Sequence, residues 1–263
     1  MVDAEKQRRL FSMDDMVVVA AGGAGAIGSA LARGTAQFGA KVAIADVSEQ
    51  AAGETAAGIA ADTGAAALGV ALDVRDADSV ARALACVEQQ LGPVDVLINA
   101  VGTQSDQPAE EYALADWDRV MDLNLRGAFV LSQAAARTMI AHDKGGSIIH
   151  ITSVRSALGI RSGYAAYCAS KGGLGILIKQ LATEWAPRGI RVNGIAPTFT
   201  RTPLVDRYLN DPVFYSGLVA RIPMGRVCET DDLVGIGVFL ASPASAFITG
   251  QNIFVDGGVT ACQ

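Results

Sequence analysis

Three residues have the types and spacing for proton chemistry: Ser153, Tyr167 and Lys171. In Tyr167-Cys168-Ala169-Ser170-Lys171 a phenol and an amine stand four residues apart. On a helix that spacing puts both on one face, one turn apart. A phenol, with a pKa near ~10, is a poor base at neutral pH. A nearby ammonium favours the phenolate, and an opposite charge at short range lowers a pKa by about 1–3 units. Two units correspond to about 2.7 kcal/mol, enough to bring Tyr167 into the useful range of a general acid/base. Ser153 ends the apolar run Ser147-Ile148-Ile149-His150-Ile151-Thr152-Ser153, which reads as a buried strand. Its hydroxyl could hold a carbonyl oxygen while Tyr167 protonates it. A lone Tyr-x-x-x-Lys says little, since most such pairs are surface accidents on helices. Its meaning depends on the elements around it.

Those elements alternate. Met16–Ala20 is a Val-rich strand that runs into Ala21-Gly22-Gly23-Ala24-Gly25-Ala26-Ile27-Gly28 and then a helical pattern. Strand, glycine-rich turn and helix form a phosphate cradle: small residues admit a pyrophosphate, and the helix N-terminus offers unpaired N–H groups. The plain alternative is a tight turn that packs a helix on a sheet. A second strand, Lys41–Ala45, ends in Asp46, about 20 residues past the glycines, where a carboxylate suits ribose hydroxyls. Asp46 could instead cap the helix expected over Ser48–Ala61, a job for which Ser48 competes. Strands Leu68–Leu72, Val94–Ile98, Ile190–Ala196 and Asn252–Val255 come next, with helices at Ser79–Leu91, Trp117–His142, Tyr164–Trp185 and Asp231–Leu240 between them. The alternation predicts an α/β fold, one Rossmann-type doubly wound parallel sheet of about seven strands flanked by helices. Ligands then bind beyond the carboxyl ends of the strands.

Residues 1–12 read as a flexible leader and 13–263 as a single cofactor-binding and catalytic domain. Within it 198–226 holds three prolines and no clean periodicity before Leu204, so it reads as a long loop and a substrate-side lid. The chain has 263 residues, 51% hydrophobic, enough for a core that needs no staples. Its four cysteines and two histidines show no metal spacing, so no metal is expected. A net charge of -6 without a basic run argues against nucleic acid. No apolar leader or spanning stretch is present, so a cytoplasmic protein with no membrane partner is expected.

Together these residues resemble the short-chain dehydrogenase/reductase family, from about Met16 to Gly258. The family's Thr-Gly-x-x-x-Gly-x-Gly loop is similar to Ala21–Gly28, with Ala21 for Thr and Ala26 for the middle Gly. The resemblance assigns Gly22, Gly25, Ala26, Ile27 and Gly28 to the cofactor phosphates, and Asp46, Asp73 and Val74 to its ribose and adenine. Asn99-Ala100-x-Gly102 matches the strand-end motif. Asn124, Ser153, Tyr167 and Lys171 match the catalytic four. Lys171 would also hold the nicotinamide ribose, and Asn124 would anchor a water that relays protons. Pro197, Thr200 and Thr202 match nicotinamide contacts, although Thr198 stands where the family has Gly. The resemblance implies a nicotinamide-dependent oxidoreductase that interconverts a secondary alcohol and a ketone, and Asp46, with no basic residue beside it to take a 2′-phosphate, makes NAD the expected cofactor. It also implies a homo-oligomer, usually a tetramer built on the helices Trp117–His142 and Tyr164–Trp185.

The substrate stays open between a polar sugar, sugar acid or hydroxy acid and a 3-oxoacyl-carrier-protein, whose acidic carrier suits this acidic chain less well. A non-catalytic nucleotide-binding regulator is the reading of another class. Arg155, Arg161 and Arg201 lie on segments that border the reacting carbon. A guanidinium there could clamp a carboxylate or simply be solvated, and Arg155 is the first choice as a substrate contact.

Overall fold

The strands are short runs of small and β-branched residues: β1 (Val17–Ala21), β2 (Lys41–Asp46), β3 (Ala67–Ala71), β4 (Val96–Asn99), β5 (Gly146–Ile151), β6 (Ile190–Pro197) and β7 (Asn252–Val255). In a computed structural model, which describes residues 9–161 and 163–262, they form one sheet in the order β3-β2-β1-β4-β5-β6-β7. Every pairing is parallel. Alternate residues serve opposite layers. Val17, Val19 and Ala21 pack with Leu131, Met139, Leu174 and Ile178. Val18 and Ala20 pack with Leu31, Ile59, Leu233 and Leu240. Covering both faces is why these strands read as unbroken apolar runs.

Helices α1 (Ala26–Gln37), α2 (Glu49–Thr63) and α9 (Val234–Ala241) cover one face. Helices α3 (Ala77–Leu91), α5 (Gly127–Ala141) and α6 (Ala165–Trp185) cover the other. The order reverses between β1 and β4, so a crevice opens past their carboxyl ends. Among the described residues no helix is long and apolar enough to cross a membrane.

Two expectations are corrected. The helix expected over Trp117–His142 is three pieces: α4 (Leu114–Met121), a π-helical turn (Asp122–Arg126) and α5. The wide turn places Asn124 against the Thr103 backbone and lets Gly127 pass Val74, where a Cβ would come within 2.7 Å of a methyl. Residues 198–226 are not irregular. They hold α7 (Pro203–Leu209) and α8 (Pro212–Val219), closed over Leu209, Leu218, Ile222 and Val227. Pro203 and Pro212 begin these helices, a position where a missing N–H costs nothing. Of the expected leader, residues 1–8 lie outside the described residues. Leu10 O accepts a bond from Ala244 N, and the Phe11 ring lies 6.4 Å from that of Phe239.

Candidate active site

The glycine loop shows why small residues stand there. Gly22 has φ +68, and a Cβ on it would lie 2.9 Å from Val101 N. A Cβ on Gly28 would lie 2.3 Å from Gly22 O. Ala26 is the first residue of α1 and is not among the positive-φ residues, so its methyl is accommodated. Thr198 likewise needs no left-handed backbone. No side chain caps α1 at Gly25. The first-turn N–H groups of Ala26, Ile27 and Gly28 therefore have no helical acceptor and suit an anion.

A cleft of 1510 Å³ follows the strand ends, lined by Gly22, Gly25, Asp46, Asp73, Ala100 and Gly102 among others. Ser48, not Asp46, caps α2 by accepting from Ala51 N. Asp46 is left facing the loop, where one carboxylate oxygen accepts from Ala24 N at 3.3 Å. Asp73 is engaged by a residue that the motif reading passed over. Arg75 donates its Nε and Nη2 to the two carboxylate oxygens at 3.0 and 2.7 Å. That side-chain bond holds the Asp73 carboxyl below its ordinary pKa. Val74 is buried behind it. The donor-rich turn, the glycines and the carboxylate at the second strand end fit a dinucleotide.

The cleft leads through Val101 and Gly102 to the proton chemistry. A Cβ on Gly102 would lie 3.5 Å from Lys171 Nζ and 3.6 Å from Asn124 Oδ1, so the turn runs along both side chains. Lys171 is 3% exposed and donates to Ile151 O at 2.7 Å. Burial lowers its pKa to about 8, so it stays mostly cationic at neutral pH. Asn124, 1% exposed, uses its whole amide: Oδ1 accepts from Thr103 N, and Nδ2 donates to Thr103 O and Ser170 Oγ. A relay water at Asn124 would have to use its backbone rather than this amide.

Ser153 sits just past β5 as the cap of a short turn, where its Oγ accepts from Arg155 N. Its carbonyl accepts from Ser156 Oγ at 2.7 Å, and Asn252 of β7 donates to Ser156 Oγ at 2.8 Å. The Ser153 hydroxyl faces the Tyr167 phenol and favours its ionised form. The phenol's pKa is raised, above all by burial, with the Ser153 hydroxyl opposing. This corrects the expectation that Lys171 sets a low Tyr167 pKa. Nζ lies 5.8 Å from the ring centroid and donates to Ile151 O. In the protein without cofactor Tyr167 is a phenol at neutral pH, an acid ready to protonate a carbonyl. Thr200 is buried and donates to Thr198 O, Pro197 ends β6, and Thr202 precedes α7 without a side-chain bond to its first turn.

The three arginines separate. Arg201 is neutralised by Glu229 at 3.1 Å and approached by Asp206 at 3.9 Å. Arg161 is exposed. Arg155 is half-buried, donates to Gly159 O at 2.7 Å, and no carboxylate among the described residues pairs with it. Burial lowers its pKa, and Tyr164, Tyr167, Cys168 and Arg221 are its charged or polar surroundings. A further group that spacing could not show is His150, wholly buried between Asn99 and Ser132. Burial, then the Lys171 charge, lowers its pKa to about 3.

A family model described as enoyl-(acyl carrier protein) reductase matches residues 22–260. The gluconate 5-dehydrogenase of Gluconobacter oxydans (strain 621H) is 39% identical over 251 residues, covering 95% of this chain and 97% of that protein. The D-threitol dehydrogenase of Mycolicibacterium smegmatis (strain ATCC 700084 / mc(2)155) is 38% identical over 250 residues, covering 95% of each. A crystal structure of a gluconate 5-dehydrogenase from Burkholderia cenocepacia J2315, in complex with NADP and tartrate, superposes with a TM-score of 0.92 at 38% identity, covering 98% of this chain and 100% of that one. With this sheet order, this glycine loop and the Ser153–Tyr167–Lys171 set, the chain belongs to the short-chain dehydrogenase/reductase family and is an NAD(P)-dependent oxidoreductase that interconverts a secondary alcohol and a ketone.

Proposed function

We infer that the substrate is a polyhydroxylated carboxylate of the sugar-acid class, held by Arg155 while its secondary alcohol or ketone meets Ser153 and Tyr167. One observation carries this reading: the half-buried Arg155 guanidinium, without a carboxylate partner among the described residues, beside the catalytic tyrosine. Part of the desolvation cost of the guanidinium is already met, so an oxyanion that reaches it gains a charge-assisted, bidentate pair. A gluconate-acting relative and a neighbour bound to tartrate, itself a hydroxy acid anion, support it.

When bound, the dinucleotide supplies the hydride donor or acceptor. The protein does the rest. Ser153 donates to the substrate oxygen. Tyr167 gives that oxygen a proton on reduction and takes it on oxidation. Lys171 keeps a cation beside the phenol, and the glycine loop and α1 hold the phosphates. NAD is the proposed cofactor, because Asp46 faces the loop and Arg33 is tied to Asp62. A homotetramer is also proposed, with exposed Phe129 and Ile176 of α5 and α6 covered by a second copy. A cytoplasmic location goes with the four free cysteines.

The test compares a sugar acid with a neutral polyol of the same length. Arg155→Ala should raise KM for the acid about 10–100-fold, the loss of one charge-assisted pair worth about 1.5–3 kcal/mol. KM for the polyol should change less than about threefold. Equal losses on both would reduce Arg155 to a support of its loop. The carrier-protein reading has no observation of its own in the site.

A further inference from the structure

Asn99 and His150 are register partners on β4 and β5, and both are buried. Asn99 Oδ1 accepts from Val101 N at 3.1 Å. Its Nδ2 therefore points at His150 Nδ1, 3.1 Å away. An amide NH₂ can only donate, so Nδ1 must accept, and the imidazole carries its proton on Nε2. That proton goes to Ser132 Oγ at 3.0 Å, and Ser132 Oγ donates to Ala128 O at 2.7 Å. One direction of donation runs through the whole chain, from Asn99 to the backbone of α5.

The turn that Asn99 fixes has three neighbours. Val101 N and Ala100 C lie 2.9 and 3.0 Å from where a Gly22 Cβ would be. Gly102 runs along Lys171 Nζ and Asn124 Oδ1. Ala100, Val101 and Gly102 all line the cofactor cleft. The turn thus joins the phosphate loop to the catalytic lysine. If the Asn99 amide rotated, Val101 N would lose its acceptor and this joint would loosen.

We propose that His150 is a positioning residue for the dehydrogenase: its Nδ1 lone pair locks the Asn99 amide, and through it the Ala100–Gly102 turn that seats the cofactor against Lys171. His150 touches neither cofactor nor substrate. Its work needs an acceptor at Nδ1, and its bond to Ser132 only braces the ring.

Two substitutions separate these halves. In His150→Asn the shorter amide oxygen stands near Nδ1 and accepts from Asn99, while the Ser132 bond is lost. In His150→Gln the amide stands near Nε2 and serves Ser132, while Asn99 is left unpaired. The readout is the dissociation constant of NADH and of NADPH, by nucleotide fluorescence, on protein shown folded by circular dichroism. His150→Asn should bind the preferred nucleotide within about twofold of wild type, and His150→Gln roughly tenfold more weakly, the order of one unsatisfied buried donor. Melting temperature should fall in both, because each leaves one buried partner unpaired. Equal weakening in both, or none in either, overturns the proposal. If His150→Gln does not fold, His150→Ala takes its place, since it also leaves Asn99 without its acceptor. It should bind roughly tenfold more weakly than His150→Asn, and equal binding by the two overturns the proposal.

Discussion

Replacing Lys171 by Met removes a buried cation while keeping much of the side chain's length. Lys171 is 3% exposed, and burial takes its pKa from 10.5 to about 8. Between those values the unfolded chain binds a proton that the folded chain has released. Stability therefore rises with pH across that window, and below it the folded protein bears the full cost of the buried charge. The whole shift is worth about 3 kcal/mol, of which about 2 kcal/mol is recovered by pH ~9.5. The Met variant has no such window. In urea unfolding of the cofactor-free proteins, wild type should gain about 2 kcal/mol on the variant between pH ~7 and pH ~9.5, since groups common to both cancel. Turnover of the variant should be lost, because the cation beside Tyr167 is gone. A wild-type-minus-variant difference that is flat with pH, within about 0.5 kcal/mol, would show that Lys171 is not a strained cation in the folded chain.

Tyr167→Phe should lower kcat by about 10²–10⁴-fold, with the nucleotide dissociation constant within about twofold, since the phenol transfers a proton and the phosphates are held elsewhere. Steady-state kinetics and nucleotide fluorescence check both halves, and a near-normal kcat would sink the mechanism. Measured in one buffer, kcat/KM should favour NAD over NADP, and Asp46→Ala should narrow the gap, because a 2′-phosphate would face the Asp46 carboxylate. Equal values in wild type would mean that Asp46 points away from the ribose. Gly28→Ala should destabilise by about 1–3 kcal/mol, its Cβ 2.3 Å from Gly22 O. Gly53→Ala in α2 meets nothing within 4 Å and should stabilise by up to about 1 kcal/mol, both by thermal unfolding.

What the sequence disclosed is what spacing decides. Tyr167 and Lys171 share a helical face because of a four-residue interval, and the glycine loop announces itself because strand, turn and helix are contiguous. The strand run that ends at Ser153 was visible for the same reason. What it concealed is settled by contacts between distant segments. The π-helical turn at Asp122–Arg126 follows from Asn124 meeting Thr103, 21 residues away. His150 reads as one polar residue in an apolar strand until the register of β4 against β5 sets it beside Asn99, 51 residues away. Pro203 and Pro212 read as breakers because local sequence cannot tell a helix start from a loop. The sign of the Tyr167 shift is the same kind of case. Motif spacing supplies the ammonium, but burial supplies the dielectric, and burial raises the phenol while lowering the lysine. Both shifts disfavour the charged form, as a dry site must. Burial thus works against ionisation of both groups, while one ammonium hydrogen of Lys171 goes to Ile151 O and the Asn124 amide is used in full by Thr103 and Ser170. Held at that bond and 3% exposed, Lys171 stays out of water, and the cost of the buried cation at neutral pH follows from its burial.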